Sequence, residues 1–354
     1  MEQLKIETLL ERVVRQNASD LHLRVGVPPM LRIDGVLSPI NDAAALNDET
    51  IQGLVYSILD DEQRAILTSD KEFDFSFNFG DLGRFRANAF RERGLLAASL
   101  RFIPNEIKSV TELGLPAAIE TLADLPKGLV LVTGPTGSGK STTLAALIDK
   151  INREKPVNII TVEDPIEFSF KSNRSIVAQR ELHYDTLSFN MALRSVLRED
   201  PDVIMVGELR DLETISSALT IAETGHLVFG TLHTASAAQS IDRMINVFPA
   251  HQQPQIKQQL ASVLEAVVSQ RLIPAIGGGR VAASEILLAT TAVRNIVREG
   301  KTHQLDAVIQ TSGNLGMQSM DNTLAGMIKT GKITMDEARN YAVDAEELAR
   351  IVGG

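Results

Sequence analysis

The chain has 354 residues, no cysteine, 44% hydrophobic residues and a formal net charge of −10. This length allows two domains, while the missing cysteines exclude disulfides and thiolate metal sites and fit a reducing cytoplasm. The acidic balance and an aromatic share of 4% argue against a dedicated nucleic-acid binder, which needs a basic face and stacking platforms.

The N-terminal segment predicts a helix followed by a hairpin. Residues 1–16, MEQLKIETLLERVVRQ, place apolar side chains among charges, as in an amphipathic helix and unlike the uninterrupted apolar core of a signal peptide. Asp34 and Gly35 are a turn signal between the two apolar stretches of 30–40, which predicts a β-hairpin. No run approaches the roughly 18 apolar residues of a membrane-spanning helix, so we expect a soluble protein.

More strands complete the predicted N-terminal domain. Residues 73–79, FDFSFNF, alternate strictly between aromatic and polar, which predicts a half-buried strand. Residues 83–104 predict two further strands around a turn near Gly94. We therefore place an α+β domain at 1–104, followed by a connector at 105–116.

From about residue 117 buried apolar strands alternate with helices, which predicts an α/β domain with a mostly parallel sheet. Beyond about residue 250 we expect mainly helices, the last of them starting at Thr334 in a capping box with Glu337. The second domain is placed at 117–354. Its predicted strands are GLVLVTG, VNIITVED, DVIMVGE and HLVFGTLH.

A phosphate-binding loop follows the first of these strands and opens a helix. The sequence GPTGSGKST matches G-x-x-x-x-G-K-[ST], whose glycines turn backbone N–H groups toward phosphate oxygens. Lys140 is expected to reach the β- and γ-phosphates of ATP, and the Ser141 hydroxyl to ligate Mg²⁺. The alternative is a glycine-rich loop that matches by accident. The predicted nucleotide-binding residues are Gly134, Thr136, Gly137, Ser138, Gly139, Lys140, Ser141 and Thr142.

Acidic residues close two further strands. Glu163 and Asp164 end one strand, and Glu208 ends another, after Gly207 at the position where an Asp is usual. Because parallel strands present their carboxyl ends at one edge, where such sheets bind ligands, we expect Glu163 and Glu208 to join Ser141 around the metal and an attacking water. For each carboxylate the alternative is a helix cap or a solvated loop position.

Two histidines bracket the last predicted strand. His233, followed by Thr234 at the end of the strand, is predicted to contact the γ-phosphate. For His226 a structural role and a site role both stay open. An isolated histidine is more often structural, but this one lies beside a predicted buried strand.

The motifs together resemble a known family. GPTGSGKST, TVEDPIEF, DPDVIMVGELRD and TGHLVFGTLHT resemble the Walker A, Asp-box, atypical Walker B and His-box motifs of secretion ATPases, in which Gly replaces the Walker B Asp. Within that superfamily the chain is similar to the retraction ATPases of type IV pili, the PilT family. The related extension and type II secretion ATPases usually carry a longer N-terminal region and a tetracysteine module. Segments similar to the retraction family are ASDLHLRVGVPPMLRIDG (18–35), AVRNIVREGKTHQL (292–305) and GMQSMDNTLAGMI (316–328).

The resemblance implies a fold, an assembly and a place of work. It implies an N-terminal PAS-like domain followed by a RecA-like P-loop ATPase domain with a helical C-terminal region, with the nucleotide between the two domains. It also implies a homo-hexamer that uses ATP and Mg²⁺. Such a ring works with the pilus machinery at the cytoplasmic face of the inner membrane, associated peripherally through a platform protein. No nucleic-acid partner is expected.

The resemblance also implies residue roles. Glu208 becomes the general base and Glu163 a polariser or metal-side acid, with the reverse assignment left open, and His233 becomes the His-box contact. Arg271 would contact the nucleotide, with a salt bridge as the alternative. The helix AVRNIVREGK would couple hydrolysis to retraction; the alternative is an ordinary amphipathic core helix.

Five arginines of the predicted N-terminal strands stand out in an acidic protein. They either form a solvated strand face or reach a neighbouring subunit's phosphates, as arginine fingers do in trans. Arg84 and Arg86 share strand parity and so point the same way, and the resemblance favours Arg84 and Arg101 as catalytic. The five are Arg84, Arg86, Arg91, Arg93 and Arg101.

Other functions fit the sequence less well. A nucleic-acid translocase of the RecA-like kind shares the phosphate loop, and its ATPase would be stimulated by DNA. A small-molecule kinase leaves the acidic strand ends and the extra N-terminal domain without a role. Within the family, the alternatives are a PilU-like accessory motor and a type IV secretion ATPase.

Overall fold

The structure is a computed structural model that describes residues 4–33, 35–80, 82–104 and 106–353. It divides into an N-terminal unit, which ends at Glu106, and a C-terminal unit, which begins at Ile107. Within the described ranges, no helix is both long enough and apolar enough to span a bilayer. The start of the predicted first helix (residues 1–3), Asp34 of the predicted turn and Asn105 of the predicted connector lie outside these ranges.

The N-terminal unit packs helices on one side of an antiparallel sheet, which has six strands in the described ranges. The spatial order of the strands is β3-β2-β1-β6-β5-β4. The helices are α1 (Ile6–Arg15), α2 (Asp48–Tyr56) and α3 (Asp61–Asp70). The strands are β1 (Asp20–Leu23), β2 (Met30–Ile33), β3 (Val36–Pro39), β4 (Glu72–Phe79), β5 (Gly83–Glu92) and β6 (Leu95–Pro104).

Sequence alternation decides which sheet face is buried. The predicted hairpin is formed by β2 and β3, with Ile33 opposite Val36 and Gly35 at φ 83°. On β4 the aromatic residues share one face, where Phe75 stacks on Phe73 and Phe77 with ring centroids 5.6 and 6.0 Å apart. The polar residues between them lie on the opposite face, which is therefore left for other contacts.

The C-terminal unit is built on a sheet of the order β13-β12-β7-β11-β10-β8-β9, in which the described strands pair in parallel except for β12 with β13. The strands are β7 (Gly128–Thr133), β8 (Asn158–Glu163), β9 (Ile176–Glu181), β10 (Val203–Val206), β11 (Leu227–Leu232), β12 (Leu264–Pro274) and β13 (Arg280–Leu288). The helices are α4 (Ala117–Glu120), α5 (Lys140–Glu154), α6 (Phe189–Val196), α7 (Leu212–Glu223), α8 (Ala237–Asn246), α9 (Gln253–Val263), α10 (Thr291–Glu299), α11 (Leu305–Thr311), α12 (Met320–Lys329), α13 (Met335–Tyr341) and α14 (Ala345–Gly353).

Helices cover both faces of this sheet, which explains why its strands are nearly continuous apolar runs. Helix α5 packs on one face, and α6 to α9 pack on the other. The last three helices bury a smaller apolar cluster against the ends of β12 and β13. The mixed α/β architecture that the sequence predicts is therefore observed.

Two expectations about the C-terminal region need correction. Most of the region beyond residue 250 is helical as expected, but residues 264–274 and 280–288 form the long strands β12 and β13, because the apolar run of β12 is buried between β7 and β13. Thr334 caps α13 through Glu337 N–H, but α13 is not the last helix, since Ala342 is extended and α14 follows.

Candidate active site

The phosphate loop joins the end of β7 to α5, which begins at Lys140. Gly134, Gly137 and Gly139 all have positive φ, at 143°, 77° and 92°. A Cβ atom on Gly134 would lie 2.4 Å from the Gln270 carbonyl oxygen and 2.6 Å from Ser138 Oγ. Glycine is therefore required there by contact with β12 as well as by backbone conformation.

Lys140 lies back over this loop. Its Nζ donates hydrogen bonds to the carbonyl oxygens of Gly134 (2.8 Å) and Pro135 (3.1 Å). Burial lowers the pKa of Lys140, and the negative charge of Glu208 opposes that shift. The positive charge of Lys140 and the negative charge of Glu208, which follows β10, therefore interact.

The residues after β10 are fixed between two neighbouring strands. Gly207 N–H donates to the Val162 carbonyl of β8 (2.8 Å), and Leu209 N–H donates to the Thr231 carbonyl of β11 (2.9 Å). The Thr231 hydroxyl in turn donates to the Gly207 carbonyl. The backbone on either side of Glu208 is therefore fixed by hydrogen bonds to the two neighbouring strands, β8 and β11.

Gly207 has a steric reason to be glycine. A Cβ atom at this position would lie 3.2 Å from Glu163 Cα and 3.2 Å from the Val162 carbonyl oxygen, both of them backbone atoms of β8. An Asp in the usual Walker B position would need the β8 backbone to shift by a few tenths of an ångström.

Glu208 has two cationic or proton-donating neighbours. Its Oε2 lies 2.8 Å from Arg210 Nη2 and 3.4 Å from His233 Nε2. Burial alone would raise the pKa of Glu208, but Arg210 and His233 outweigh it and hold that pKa below its ordinary value. The carboxylate is ionised and 21% exposed, so it can accept a proton or bind a cation.

Glu163 lies in a different environment, against the sheet. It is 5% exposed, and its Oε1 accepts hydrogen bonds from Thr161 Oγ1 (2.6 Å) and Gln179 Nε2 (3.0 Å). Burial raises the pKa of Glu163 to about 7, although these hydrogen bonds oppose the shift. At neutral pH the group is poised between its protonated and ionised forms.

The two histidines lie at opposite ends of β11. His233 follows the strand and reaches Glu208, whereas His226 precedes it and bonds the Ile221 carbonyl (3.1 Å) and the Thr224 hydroxyl (3.0 Å) through Nδ1. Parallel strands have their ligand edge at the carboxyl ends. His226 is therefore a structural residue, and only His233 joins the candidate site.

Sequence reasoning missed two residues here. Arg210 pairs with Glu208, and its position two residues after that carboxylate, beyond the end of β10, was its signal. The Gln270 side chain is buried on β12 and donates to Thr143 Oγ1 of α5 (2.9 Å), which no local pattern predicts. Its neighbour Arg271, also on β12, makes no ion pair with any residue that the structure describes.

The arginines of the N-terminal unit separate by strand face. Arg84 and Arg86 point the same way, and Arg101 lies directly opposite Arg86 on β6, so these three share the polar face. Arg101 Nε pairs with Asp20 at 2.9 Å. Arg91 has the opposite strand parity and Arg93 lies in the β5–β6 turn at φ 54°. A basic face thus forms from Arg84, Arg86, Arg101 and, beyond Asp20, Arg32.

In the ranges that the structure describes, no three His, Cys, Asp or Glu side chains are grouped as a ready-made metal site. Ser141 is exposed in the first turn of α5. Any metal bound here would need further ligands from the nucleotide or water, which is how Mg²⁺ usually binds beside phosphates.

Comparison with known proteins places this site in context. The sequence profile of the type II/IV secretion system protein family matches residues 2–339. The type IV pilus retraction ATPase PilT of Pseudomonas aeruginosa is 51% identical over 96% of this chain and 98% of its own length. The type IV pilus ATPase PilU of the same organism is 38% identical over 99% and 91% of the two chains. A crystal structure of the pilus retraction motor PilT with bound ADP superposes with a TM-score of 0.92, at 48% identity over 98% of this chain and 99% of that one.

Proposed function

This chain belongs to the type II/IV secretion system protein family, and from that premise we propose that it is the motor ATPase of type IV pilus retraction. It is an ATPase, as is the relative with 51% identity. The observation that carries the ATPase site is the contact of Glu208 with His233 at the strand ends beside Lys140, because it joins three of the four nucleotide motifs in one place. The retraction role rests on the 51% identity to PilT over nearly the whole chain.

We propose Glu208 as the general base. Its carboxylate is ionised, partly exposed and held between β8 and β11, so it can orient water and take a proton. Glu163 suits the role of a polariser, since both its oxygens already accept hydrogen bonds and its pKa is about 7. Phosphate binding falls to the loop, Lys140, Arg271 and His233.

Mg²⁺ fits the oxygen groups at this edge. Ser141 supplies an exposed hydroxyl at the start of α5 and Glu208 an ionised carboxylate, both ligand types that Mg²⁺ accepts. Glu163 fits less well as a direct ligand, because a ligating carboxylate must be deprotonated. When bound, the ion neutralises charge on the transferred phosphate.

The finer architecture follows from the same premise. We propose that the N-terminal unit is PAS-like and the C-terminal unit RecA-like, and that the protein works as a homo-hexamer. The parallel strand order β12-β7-β11-β10-β8, with the phosphate loop following β7 inside the sheet, supports the second assignment. A ring of this kind would dock on an inner-membrane platform protein from its cytoplasmic side.

The basic face of the N-terminal unit is proposed to act on the nucleotide of a neighbouring subunit. Arg101→Ala is expected to lower kcat about tenfold, a small part of what an arginine finger can contribute, because Arg84 and Arg86 remain on the same face. Mixing Arg101→Ala with Lys140→Ala subunits should raise ATP turnover above the mean of the two variants, because the Lys140→Ala subunits supply an intact Arg101 to their neighbours. Turnover of the mixture is measured against the mean of the two separate preparations.

Arg91→Ala is the matched control, since Arg91 points away from this face and should keep wild-type kcat. No gain on mixing, with both variants assembled normally, would contradict action in trans.

The retraction role is tested in cells. Deleting the gene is expected to abolish surface motility and to increase the number of surface pili, because extension continues without withdrawal. Wild-type protein should restore both, and Lys140→Ala should restore neither, since it cannot bind the phosphates. Fluorescently labelled pili give the retraction rate directly.

Unchanged motility and pilus number after deletion would contradict the proposal. Loss of motility only against a high load, with retraction otherwise intact, would favour the accessory PilU-like role instead. The identity to PilT, 51% against 38% to PilU, favours the main motor. DNA-stimulated ATP turnover that falls steeply with salt would point to a translocase.

A further inference from the structure

Arg210 joins two acidic strand ends. Its Nη2 lies 2.8 Å from Glu208 Oε2, at the end of β10, and its Nη1 lies 3.9 Å from Asp164 Oδ2, at the end of β8. The guanidinium offers five N–H donors in a planar fork, so a single side chain can serve two carboxylates.

The backbone of Arg210 is held on both sides. Leu209 before it is 1% exposed and packs against Gly230, where a Cβ atom would lie 2.7 Å from Leu209 Cδ1. Asp211 after it caps α7 by accepting the Thr214 N–H at 2.8 Å. The Arg210 carbonyl also accepts a hydrogen bond from Arg243 Nη2 of α8, at 3.1 Å. The Cα position of Arg210, from which its side chain extends, is therefore well fixed.

Charge explains what such a bridge does. Glu208 and Asp164 are both acidic, and the same Arg210 guanidinium lies 2.8 Å from one and 3.9 Å from the other, so one cation attracts both side chains. His233 is another contact of Glu208 and lies farther away, at 3.4 Å. Without Arg210 the Glu208 carboxylate would lose its shorter contact and its link to Asp164.

We propose that Arg210 is a positioning residue for hydrolysis, which holds the Glu208 carboxylate at the end of β10 and ties it to Asp164 at the end of β8. This inference rests on the proposed role of Glu208 as the base. It assigns Arg210 no contact with the phosphates. The base is then in place before ATP binds, and the position of β8 affects the rate through Asp164.

The test compares Arg210→Gln and Arg210→Lys in the full chain. Arg210→Gln is expected to lower kcat about 10- to 100-fold, in line with the cost of misplacing a catalytic group by about 1 Å. KM for ATP and the affinity for fluorescent ADP should stay within about threefold. Arg210→Lys should recover part of kcat, because an ammonium can still pair with Glu208 but cannot span to Asp164. Arg180→Gln is the control, since it breaks a comparable pair with Glu199 (2.9 Å) away from the site and should keep wild-type kcat.

A second measurement separates positioning from phosphate contact. Asp164→Asn should reduce kcat less in the Arg210→Gln background than in wild type, because both changes break the same bridge. Wild-type kcat in Arg210→Gln would overturn the proposal. Weaker binding of ATPγS relative to ADP in Arg210→Gln would also overturn it, since Arg210 would then touch the γ-phosphate. If Arg210→Gln fails to fold, the same readings on Arg210→Lys decide. Wild-type protein without ATP turnover, or Glu208→Gln with normal turnover, would instead refute the proposed function itself.

Discussion

Replacing Glu208 by Gln is expected to lower kcat for ATP by at least about a hundredfold while ADP affinity changes less than about threefold. The amide keeps the size of the side chain but cannot take a proton, and general base catalysis is worth roughly 10²–10⁴ in rate. The phosphate loop, with Lys140 on the Gly134 and Pro135 carbonyls, is left intact. Phosphate release and fluorescent ADP titration measure the two quantities.

Glu163→Gln is the matched comparison. An amide oxygen at 163 can still accept from Thr161 Oγ1 and Gln179 Nε2, and burial already keeps the native group partly protonated near pH 7. We therefore expect a smaller loss, about tenfold or less, than general base removal would give. A larger loss in Glu163→Gln than in Glu208→Gln would reverse the assignment of the base.

Restoring the usual Walker B residue by Gly207→Asp is expected to inactivate the enzyme. The new Cβ would meet the β8 backbone at 3.2 Å, and the new carboxylate would add negative charge beside Glu163 and Glu208. Gly207→Ala isolates the steric part and should cost about 1–3 kcal/mol in the free energy of unfolding, as overpacking usually does. Its kcat should fall as well, because the strain lies at Glu163 Cα. Thermal unfolding and ATP turnover test both variants.

Gly313→Ala serves as the control for adding a methyl group. A Cβ atom there has nothing within 4 Å, and its backbone does not require glycine. Both its stability and its kcat should match wild type. Normal kcat in Gly207→Asp would show that β8 moves aside at no cost, and the steric account of Gly207 would then be wrong.

Local pattern predicted much of the C-terminal unit. Apolar runs followed by Gly134 to Lys140, by Glu163 and by Glu208 gave the strands β7, β8 and β10, and the structure brings Glu208 and His233 together as expected. In the N-terminal unit, the Asp34-Gly35 turn signal between two apolar stretches predicted the hairpin of β2 and β3. These features depend on residues close together in the chain, and so a single sequence is enough to predict them.

The remainder depends on partners that are distant in sequence. Strand β12 has an apolar run that suits a helix or a strand equally, and its pairing with β7 decides between them. Glu163 ends β8 as expected, but its side chain bonds Thr161 of the same strand and Gln179 of β9, a contact that depends on a residue 16 positions away. Gln270 is placed by its contact with Thr143, 127 residues away. No local spacing contains such information.

The close approach of β8 and β10 also limits how this site can change by mutation. Because a Cβ atom at 207 would lie 3.2 Å from the backbone of Val162 and Glu163, we expect an Asp there to need a shift of the end of β8. Substitutions at such touching positions are not additive. Laboratory evolution of an Asp-type Walker B site from this one should therefore recover paired substitutions on the two strands.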